Sequence, residues 1–225
     1  MNGIKAVLFD FDETLHDRTL AFDDYVLSFL SHFFPNISEE EKKKRAKDMV
    51  ELCGGGYTQG DDYYNTLKSR WNWKDAPDND FLKEYYYVNF PYFIKVYSNS
   101  KSVLKKLKND GYTVGVLTNG PSKLQHKKLE LSGLLEFCDF LVVSGDVGIH
   151  KPNPQIFKYV ADKYGLNVEE CVYVGDHPEN DINASLKAGM KAVRMNVGWF
   201  KNCSLRNDVP NIDDISQVIE VVKKY

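Results

Sequence analysis

The stretch GIKAVLFDFDETLHD, residues 3–17, decides the fold of this chain. Its apolar run, Ile4–Phe9, is typical of a strand that is buried on both faces of a sheet. The run ends in Asp10 and Asp12, which a single phenylalanine separates. Carboxylates at the end of a buried strand are costly unless they are exposed, cap a helix or hold a cation. The residues that the fold gathers around these two aspartates therefore decide between these possibilities.

The composition limits the class of protein. A length of 225 residues suits one large domain or a domain with a smaller one inserted, and 43% apolar residues suffice for a core. The net charge of −3 provides no basic field for nucleic acid. No apolar run approaches the roughly 20 residues of a membrane helix, and no signal peptide is recognisable. The four cysteines are isolated from one another, which favours reduced thiols and a cytoplasmic location. We expect a monomer or homodimer that binds neither nucleic acid nor membranes.

Four further apolar runs resemble the first one, and segments with helical spacing separate the later runs. They are Thr113–Leu117, Phe140–Val143, Cys171–Val174 and Ala192–Met195. Buried strands that alternate with amphipathic helices indicate a parallel sheet covered on both faces. The predicted fold class is therefore α/β, with a three-layer core.

One interval breaks this alternation, because no convincing strand occurs between Asp17 and Thr113. Apolar residues in the interval repeat at helical spacing, which predicts a set of helices. We therefore assign residues 17–96 to an inserted helical domain. The α/β domain then consists of residues 1–16 and 97–225.

Several helices are predicted individually. An apolar stripe from Phe22 to Phe33 forms the first helix of the insertion, and Ser38 is the expected N-cap of the second. Two more are expected near 60–70 and 79–90. The final stretch IDDISQVIEVVKKY, residues 212–225, predicts one last amphipathic helix.

Polar residues follow the predicted strands, at the edge where open α/β sheets bind ligands. They are Asp10, Asp12 and Thr14, then Thr118 and Asn119, then Lys151, and finally Asp176 and Asp181. Clustered carboxylates repel one another unless a hard cation lies among them, and a set of oxygen ligands favours Mg²⁺. The lysine and the strand-end donors suit a phosphate group. This edge therefore suits phosphoryl transfer, in which an aspartate can act as the nucleophile.

Four motifs occur in a fixed order along the chain: DFDET, TNG, the lysine of HKPNP, and GDHPEND. In this order they resemble the four motifs of the haloacid dehalogenase (HAD) superfamily, over almost the whole chain. The resemblance implies a Rossmann-like core with an α-helical cap domain between the first two motifs. The tract around the fourth motif resembles small-metabolite phosphatases and nucleotidases in particular. It implies a Mg²⁺-dependent, HAD-like phosphoric monoester hydrolase.

The resemblance also implies roles for the residues of the first three motifs. Asp10 is expected to be the nucleophile that attacks phosphorus. Asp12 is expected to protonate the leaving group and then to act as the base for the hydrolytic water. Thr118 and the backbone amide of Asn119 would hold the transferring phosphoryl group. Lys151 would balance negative charge and position Asp10.

A metal site follows from the same resemblance. The expected ligands of Mg²⁺ are Asp10, the backbone carbonyl of Asp12, and Asp176. Asp181 is expected to support the metal through water or to orient the catalytic lysine. Thr14 is expected to form a hydrogen bond within the loop of the first motif and to orient Asp12.

The expected function is the hydrolysis of a small phosphorylated metabolite, a nucleoside monophosphate or a sugar phosphate, through an aspartyl-phosphate intermediate. Asp12 favours phosphate esters over carbon–halogen bonds, because a halide leaving group needs no proton. Two alternatives remain open at this point. One is a phosphomutase of the same fold, and the other is a non-catalytic module that binds a phosphate or a partner.

Overall fold

The computed structural model describes residues 3–58, 60–203 and 207–225. The chain divides into two units: the first consists of Met1–Asp17 and Lys95–Tyr225, and the second of Arg18–Ile94. Within the described ranges, no helix is both long and apolar enough to cross a membrane. The first unit contains all the site residues that the sequence predicts.

A sheet of parallel strands forms the centre of the first unit. Its six strands are β1 Ala6–Phe9, β2 Thr113–Thr118, β3 Phe140–Val143, β4 Cys171–Gly175, β5 Lys191–Met195 and β6 Asn211–Ile212. Their order across the sheet is β3-β2-β1-β4-β5-β6. In the register of the sheet, Phe9 of β1 pairs with Val116 of β2 on one side and with Val174 of β4 on the other. Asp10 therefore follows an inner strand, between the carboxyl ends of β2 and β4.

Helices cover both faces of this sheet. These helices belong to the first unit, which contains α5 Ser100–Asn109, α6 Ser122–Ser132, α7 Ser144–Val147, α8 Gln155–Lys163, α9 Ala184–Ala188 and α10 Val218–Val222. The second unit contains α1 Arg18–Phe33, α2 Glu39–Cys53, α3 Asp61–Arg70 and α4 Asn79–Asn89. Because side chains alternate along a strand, Val7 and Phe9 pack with residues of α5, α6 and α10. Ala6 and Leu8 pack on the other face with residues of α8 and α9. The predicted α/β class with a three-layer core is confirmed.

The second unit consists of helices around an aromatic core. The ring of Tyr25 on α1 lies 5.3 Å from that of Tyr86 on α4 and 5.8 Å from that of Phe90. Helix α2 begins after Ser38, whose Oγ accepts a hydrogen bond from the backbone N–H of Glu41 at 3.2 Å, as expected for an N-cap. These helices occupy the interval in which the sequence predicts an insertion. That this unit acts as a cap domain stays a prediction.

The two chain segments that lead out of and back into the first unit lie side by side. The N–H of Asp17 donates to the carbonyl of Lys95 at 2.8 Å, and the N–H of Tyr97 donates to the carbonyl of Leu15 at 3.1 Å. The hydroxyl of Ser100 donates to the same carbonyl of Leu15 at 2.8 Å. The two residues that flank the inserted segment, Asp17 and Lys95, are therefore joined by a direct backbone hydrogen bond.

The prediction of a single helix over residues 212–225 is wrong. Ile212 belongs to β6, and α10 begins only at Val218. The reason is the side chain of Asp214, which accepts a hydrogen bond from the N–H of Ser216 and starts a short 3₁₀ segment there. Gln217 completes a capping box with this aspartate, so that the chain starts a new helical segment in the middle of the predicted one.

Candidate active site

Lys151 lies at the centre of a buried charge cluster. Its Nζ is 2.6 Å from Oδ1 of Asp181 and 3.0 Å from Oδ1 of Asp10, and it donates to the hydroxyl of Tyr173 at 2.8 Å. The lysine is only 4% exposed. Burial by itself lowers the pKa of Lys151, but the two carboxylates outweigh it and the net pKa is raised. Lys151 is therefore a cation at any physiological pH.

Three buried carboxylates meet beside this lysine. Asp10, Asp176 and Asp181 each offer an oxygen that lies within 4.8 Å of the others. Burial raises the pKa of Asp10 to about 7, against the opposing effect of Lys151, and Asp181 acts in the same direction as burial. Burial also raises the pKa of Asp176 well above its ordinary value. The charged forms of Asp10 and Asp176 are thus disfavoured in the folded chain.

The cluster fits a divalent cation. All three side chains offer oxygen ligands, which hard ions such as Mg²⁺ prefer. Oδ1 of Asp10 is buried and forms an ion pair with Lys151, but it makes no hydrogen bond to any group in the described part of the chain. A cation among these oxygens would offset the mutual repulsion of the carboxylates. The predicted ligands Asp10 and Asp176 are therefore suitably placed to share one ion.

The two carboxylate oxygens of Asp181 accept hydrogen bonds from different donors. Oδ1 accepts from Lys151, and Oδ2 accepts from the backbone N–H of His177 at 2.9 Å. Asp181 belongs to a π-helical segment, Pro178–Asn183, that follows β4. Its carboxyl lies against Gly175, where a Cβ atom would be 2.5 Å from the nearest atoms of Asp181. A glycine is therefore required at the end of β4 for this carboxyl to reach the lysine.

The second and third motifs are joined through Asn119. The Nδ2 group of Asn119 donates to the carbonyl of Lys151 at 2.8 Å, and its Oδ1 accepts from the N–H of Lys151 at 2.9 Å. The sequence pointed to the backbone amide of Asn119 and missed this use of the side chain. Thr118, which is 1% exposed, follows Leu117 at the end of β2, and its Oγ1 accepts from Gln125 at 2.8 Å.

Asp12 is surrounded by donors that no sequence pattern predicted. Its Oδ1 lies 2.6 Å from Nε2 of His16 and 2.5 Å from Nζ of Lys128. Its Oδ2 accepts from Lys128 at 2.7 Å and from Nε2 of Gln125 at 3.1 Å. The signal available in the sequence was weak: Gln125 and Lys128 are polar residues three positions apart on a helix that also buries Leu129.

Thr14 does not play the predicted part through its hydroxyl. The residue is fully buried, and its Oγ1 has no hydrogen-bond partner among the residues that the structure describes. The backbone N–H of Thr14 donates to the carbonyl of Phe11 at 3.3 Å and so helps to form the loop of the first motif. The contacts of the Asp12 carboxyl come instead from His16, Gln125 and Lys128.

Comparison with known proteins gives the family of this chain. The family model of haloacid dehalogenase-like hydrolases matches residues 7–195. The chain belongs to this family. A glyceraldehyde 3-phosphate phosphatase of Methanopyrus kandleri is 30% identical over 98% of this chain and 98% of its own length. A phosphoglycolate phosphatase of Pasteurella multocida is 29% identical over 99% of this chain and its entire length, 100%.

Solved structures of HAD hydrolases share the fold. The HAD hydrolase YfnB of Bacillus subtilis, which was solved with bound magnesium, has a TM-score of 0.77 at 22% identity, covering 98% of this chain and 99% of its own. A HAD phosphatase from Thermococcus onnurineus has a TM-score of 0.64 at 27% identity, covering 97% of this chain and 98% of its own. The predicted HAD superfamily membership is confirmed, and so is the predicted enzyme class, a phosphoric monoester hydrolase.

In this HAD hydrolase, the fold gathers most of the predicted site residues at the carboxyl edge of the sheet. Asp10, Lys151, Asp176 and Asp181 form the charge cluster, and Thr118 ends the strand next to the one that carries the nucleophile candidate. The individual roles of these residues, including the metal ligands, stay predictions.

Proposed function

We propose that this HAD hydrolase is a Mg²⁺-dependent phosphatase that acts on a small phosphorylated metabolite through an aspartyl-phosphate on Asp10. The observation that carries the proposal is the position of Asp10: it follows an inner strand, forms an ion pair with Lys151 and lies beside two further buried carboxylates. The names of the relatives support a sugar phosphate or a phosphorylated hydroxy acid rather than a nucleoside monophosphate. A cytoplasmic location belongs to the same proposal.

The metal would be held by Asp10, the backbone carbonyl of Asp12, and Asp176. When bound, Mg²⁺ would neutralise charge on the phosphate oxygens and so lower the barrier to attack by a carboxylate. Asp181 lies next to this set and also contacts Lys151, so it links the metal ligands to the lysine.

In the first step, a carboxylate oxygen of Asp10 forms a bond to phosphorus, and the bond from phosphorus to the ester oxygen breaks with its electron pair. Asp12, in its protonated form, gives its proton to this oxygen as it leaves and becomes the carboxylate that acts in the second step. Lys151 favours the ionised form of the nucleophile through its charge. The hydroxyl of Thr118 accepts from Gln125 and makes only a long contact of 3.5 Å as a donor to the carbonyl of Asn119, so its hydrogen can turn to a phosphoryl oxygen.

In the second step, water attacks the phosphorus of the aspartyl-phosphate. Asp12 accepts a proton from this water, the bond from phosphorus to the carboxylate oxygen breaks, and Asp10 is regenerated together with inorganic phosphate. The arrangement of Asp12 suits this step, because both of its oxygens accept hydrogen bonds as those of a carboxylate do.

Phosphate release from a panel of monoesters tests the proposal. The panel contains glyceraldehyde 3-phosphate, phosphoglycolate, a hexose phosphate and a nucleoside monophosphate, each with Mg²⁺ and with EDTA. We expect metal-dependent turnover by the wild type, its loss in Asp10→Asn, and no change in Asp162→Asn, a control on the exposed side of α8. An acid quench of the wild type should trap protein-bound phosphate that hydroxylamine removes.

Two results would overturn the proposal. One is a folded wild type that releases no phosphate from any ester, and the other is an Asp10→Asn variant that retains turnover. Transfer of phosphate between two hydroxyls of a substrate, dependent on a bisphosphate and without release, would instead favour the phosphomutase.

A further inference from the structure

A buried lysine outside the four motifs contacts the proton-transfer group. Lys128 lies on α6 and is 1% exposed, and its Nζ contacts both carboxylate oxygens of Asp12, at 2.5 and 2.7 Å. The same Nζ donates to Oε1 of Gln125 at 2.8 Å. A buried ammonium is costly unless it is paired, so the position of this lysine and that of the carboxylate depend on each other.

Gln125 connects this pair to the residues expected to bind phosphate. Its Nε2 group lies 3.1 Å from Oδ2 of Asp12, 2.8 Å from Oγ1 of Thr118 and 3.0 Å from the carbonyl of Asn119. The residue is 1% exposed. One amide group thus fixes the carboxyl of the first motif relative to the backbone and hydroxyl of the second.

His16 contacts the remaining side of the carboxyl. Its Nε2 lies 2.6 Å from Oδ1 of Asp12, and the residue has no exposed surface. The imidazole packs on the ring of Phe11 with 4.6 Å between centroids, and Nζ of Lys128 lies 5.2 Å from the centroid of the same ring. The side chain of Asp12 therefore has little freedom to choose another rotamer. We call Lys128, Gln125 and His16 the Asp12 cradle.

We propose that the Asp12 cradle positions Asp12 for both proton transfers, and that Lys128 is its principal positioning residue. This inference rests on the proposed phosphatase activity. The carboxyl must meet the departing ester oxygen in one step and the attacking water in the next, and proton transfer requires hydrogen-bond distance in each. Lys128 acts through Asp12, so it is a positioning residue. The competing explanation is an ion pair that stabilises α6 without affecting proton transfer.

The dependence of the rate on the leaving group distinguishes these explanations. An alkyl phosphate such as glycerol 3-phosphate needs a proton on its leaving oxygen, whereas 4-nitrophenyl phosphate expels a stable phenolate. In Lys128→Met, we expect kcat/KM to fall about 10- to 100-fold for the alkyl ester and less than about 3-fold for the aryl ester. Complete loss of acid–base catalysis would cost roughly 10²–10⁴-fold.

A second signature comes from the hydrolysis of the aspartyl-phosphate, which is common to all substrates. In Lys128→Met, the kcat for 4-nitrophenyl phosphate should fall while its kcat/KM is preserved, so that KM falls in parallel. A pre-steady-state burst of nitrophenolate should accompany this change. Lys128→Arg, which keeps the charge, should recover part of the rate on the alkyl ester. A purely structural ion pair would not produce these differences between substrates.

Lys127→Met is the matched control, because Lys127 is the adjacent residue of α6 and pairs with Glu130 on the exposed side at 3.1 Å. If Lys128→Met does not fold, the same comparison of the two esters is made with Gln125→Met. This substitution removes the hydrogen bond to Thr118 without leaving a charge unpaired. Equal losses on both esters, or rates equal to those of the Lys127→Met control, would overturn the inference. A wild type without phosphate release would instead refute the phosphatase activity itself.

Discussion

The side-chain amide of Asn119 and the backbone of Lys151 exchange two hydrogen bonds, at 2.8 and 2.9 Å. The two residues are 32 positions apart in the sequence, and each follows a different strand. This pair of hydrogen bonds fixes the loop that carries the buried ammonium relative to the end of β2. The position of Lys151 beside the carboxylates of Asp10 and Asp181 therefore depends on Asn119, which forms hydrogen bonds with the backbone of the lysine.

Replacing Asn119 by alanine tests this dependence. The substitution keeps the backbone N–H that is expected to bind phosphate, so any loss comes from the side chain. We expect kcat/KM to fall about 10- to 100-fold, because small displacements of catalytic groups have effects of this size. The free energy of unfolding should fall by about 2 kcal/mol, since two backbone groups lose their partners. Asn153→Ala is the control, because its exposed side chain accepts a hydrogen bond from the exposed N–H of Gln155 and contacts neither Lys151 nor Asp10 in the described part of the chain. An unchanged kcat/KM in Asn119→Ala would contradict this assignment.

The crowding of carboxylates around Asp10 predicts an effect of metal on stability. The pKa of Asp10 is about 7 in the folded state, above its ordinary value of 3.8, so the folded chain holds its proton more tightly than the unfolded chain. Stability therefore falls as the pH rises from about 4 to 7, and the full cost is present at pH 8.

In EDTA at pH 8, Asp10→Asn should melt about 2–4 °C above the wild type, because the substitution removes one of the crowded charges. Mg²⁺ should raise the Tm of the wild type more than that of the variant, since the variant lacks one ligand. Thermal unfolding with and without the metal measures both effects, with Asp162→Asn as the control. Identical shifts by Mg²⁺ in the wild type and in Asp10→Asn would argue against Asp10 as a ligand.

The close contact between Gly175 and Asp181 predicts the effect of a single added methyl group. A Cβ atom at position 175 would lie 2.5 Å from the nearest carboxyl atoms of Asp181. We expect Gly175→Ala to lower the free energy of unfolding by about 1–3 kcal/mol through overpacking and to displace Asp181 from Lys151, with loss of turnover. Gly3→Ala, at a position with no neighbouring atom within 4 Å, should change neither property. Denaturant unfolding and the phosphatase assay measure the two effects, and a fully active Gly175→Ala would show that the position of Asp181 is not critical.

Asp48 in the second unit predicts a pH dependence of stability. Its carboxylate accepts from Arg70 at 2.7 Å and from the indole N–H of Trp71 at 2.9 Å. Burial raises the pKa of Asp48, but these hydrogen bonds outweigh burial and the net pKa is lowered. With a lowered pKa in the folded state, the stabilisation is present above the unfolded pKa of about 3.8 and is lost as the pH falls through the folded pKa.

We therefore expect Asp48→Asn to destabilise the protein by about 1–2 kcal/mol at pH 7. The difference from the wild type should shrink below about pH 4, where the carboxylate of the wild type is protonated. Urea unfolding at a series of pH values measures this difference. A difference in the free energy of unfolding that stays constant from pH 7 to pH 3 would show that the charge of Asp48 contributes nothing to stability.

The strands and the charge cluster were predictable because both depend on local patterns. Ile4–Phe9 is apolar without interruption, and the carboxyl ends of parallel strands necessarily share one edge of the sheet, so Asp10 and Asp176 could be brought together without coordinates. The short strand at Ile212 was not predictable in this way, because two residues carry no periodicity and the capping side chain of Asp214 decides where the last helix begins.

The Asp12 cradle could not be inferred from the sequence for a different reason. Gln125 and Lys128 are 113 and 116 residues away from Asp12 in the sequence. A polar residue on a helix is usually solvated, and only the packing of α6 against the sheet shows that these two are buried. The side chain of Asn119 is a similar case, since an Asn-Gly pair at the end of a strand is equally typical of a simple turn.

The hydrogen bonds from Asp17 to Lys95 and from Tyr97 to Leu15 have a consequence for protein engineering. With its ends pinned together, the whole of Arg18–Ile94 is topologically a single long loop of the sheet-containing unit. The entropic cost of closing a loop grows only slowly with the length of the loop. The length of the inserted segment therefore has little effect on the free energy of folding of the sheet-containing unit. This junction is therefore a natural graft point, at which one helical insert could be exchanged for another while the central strand and its neighbours retain their register.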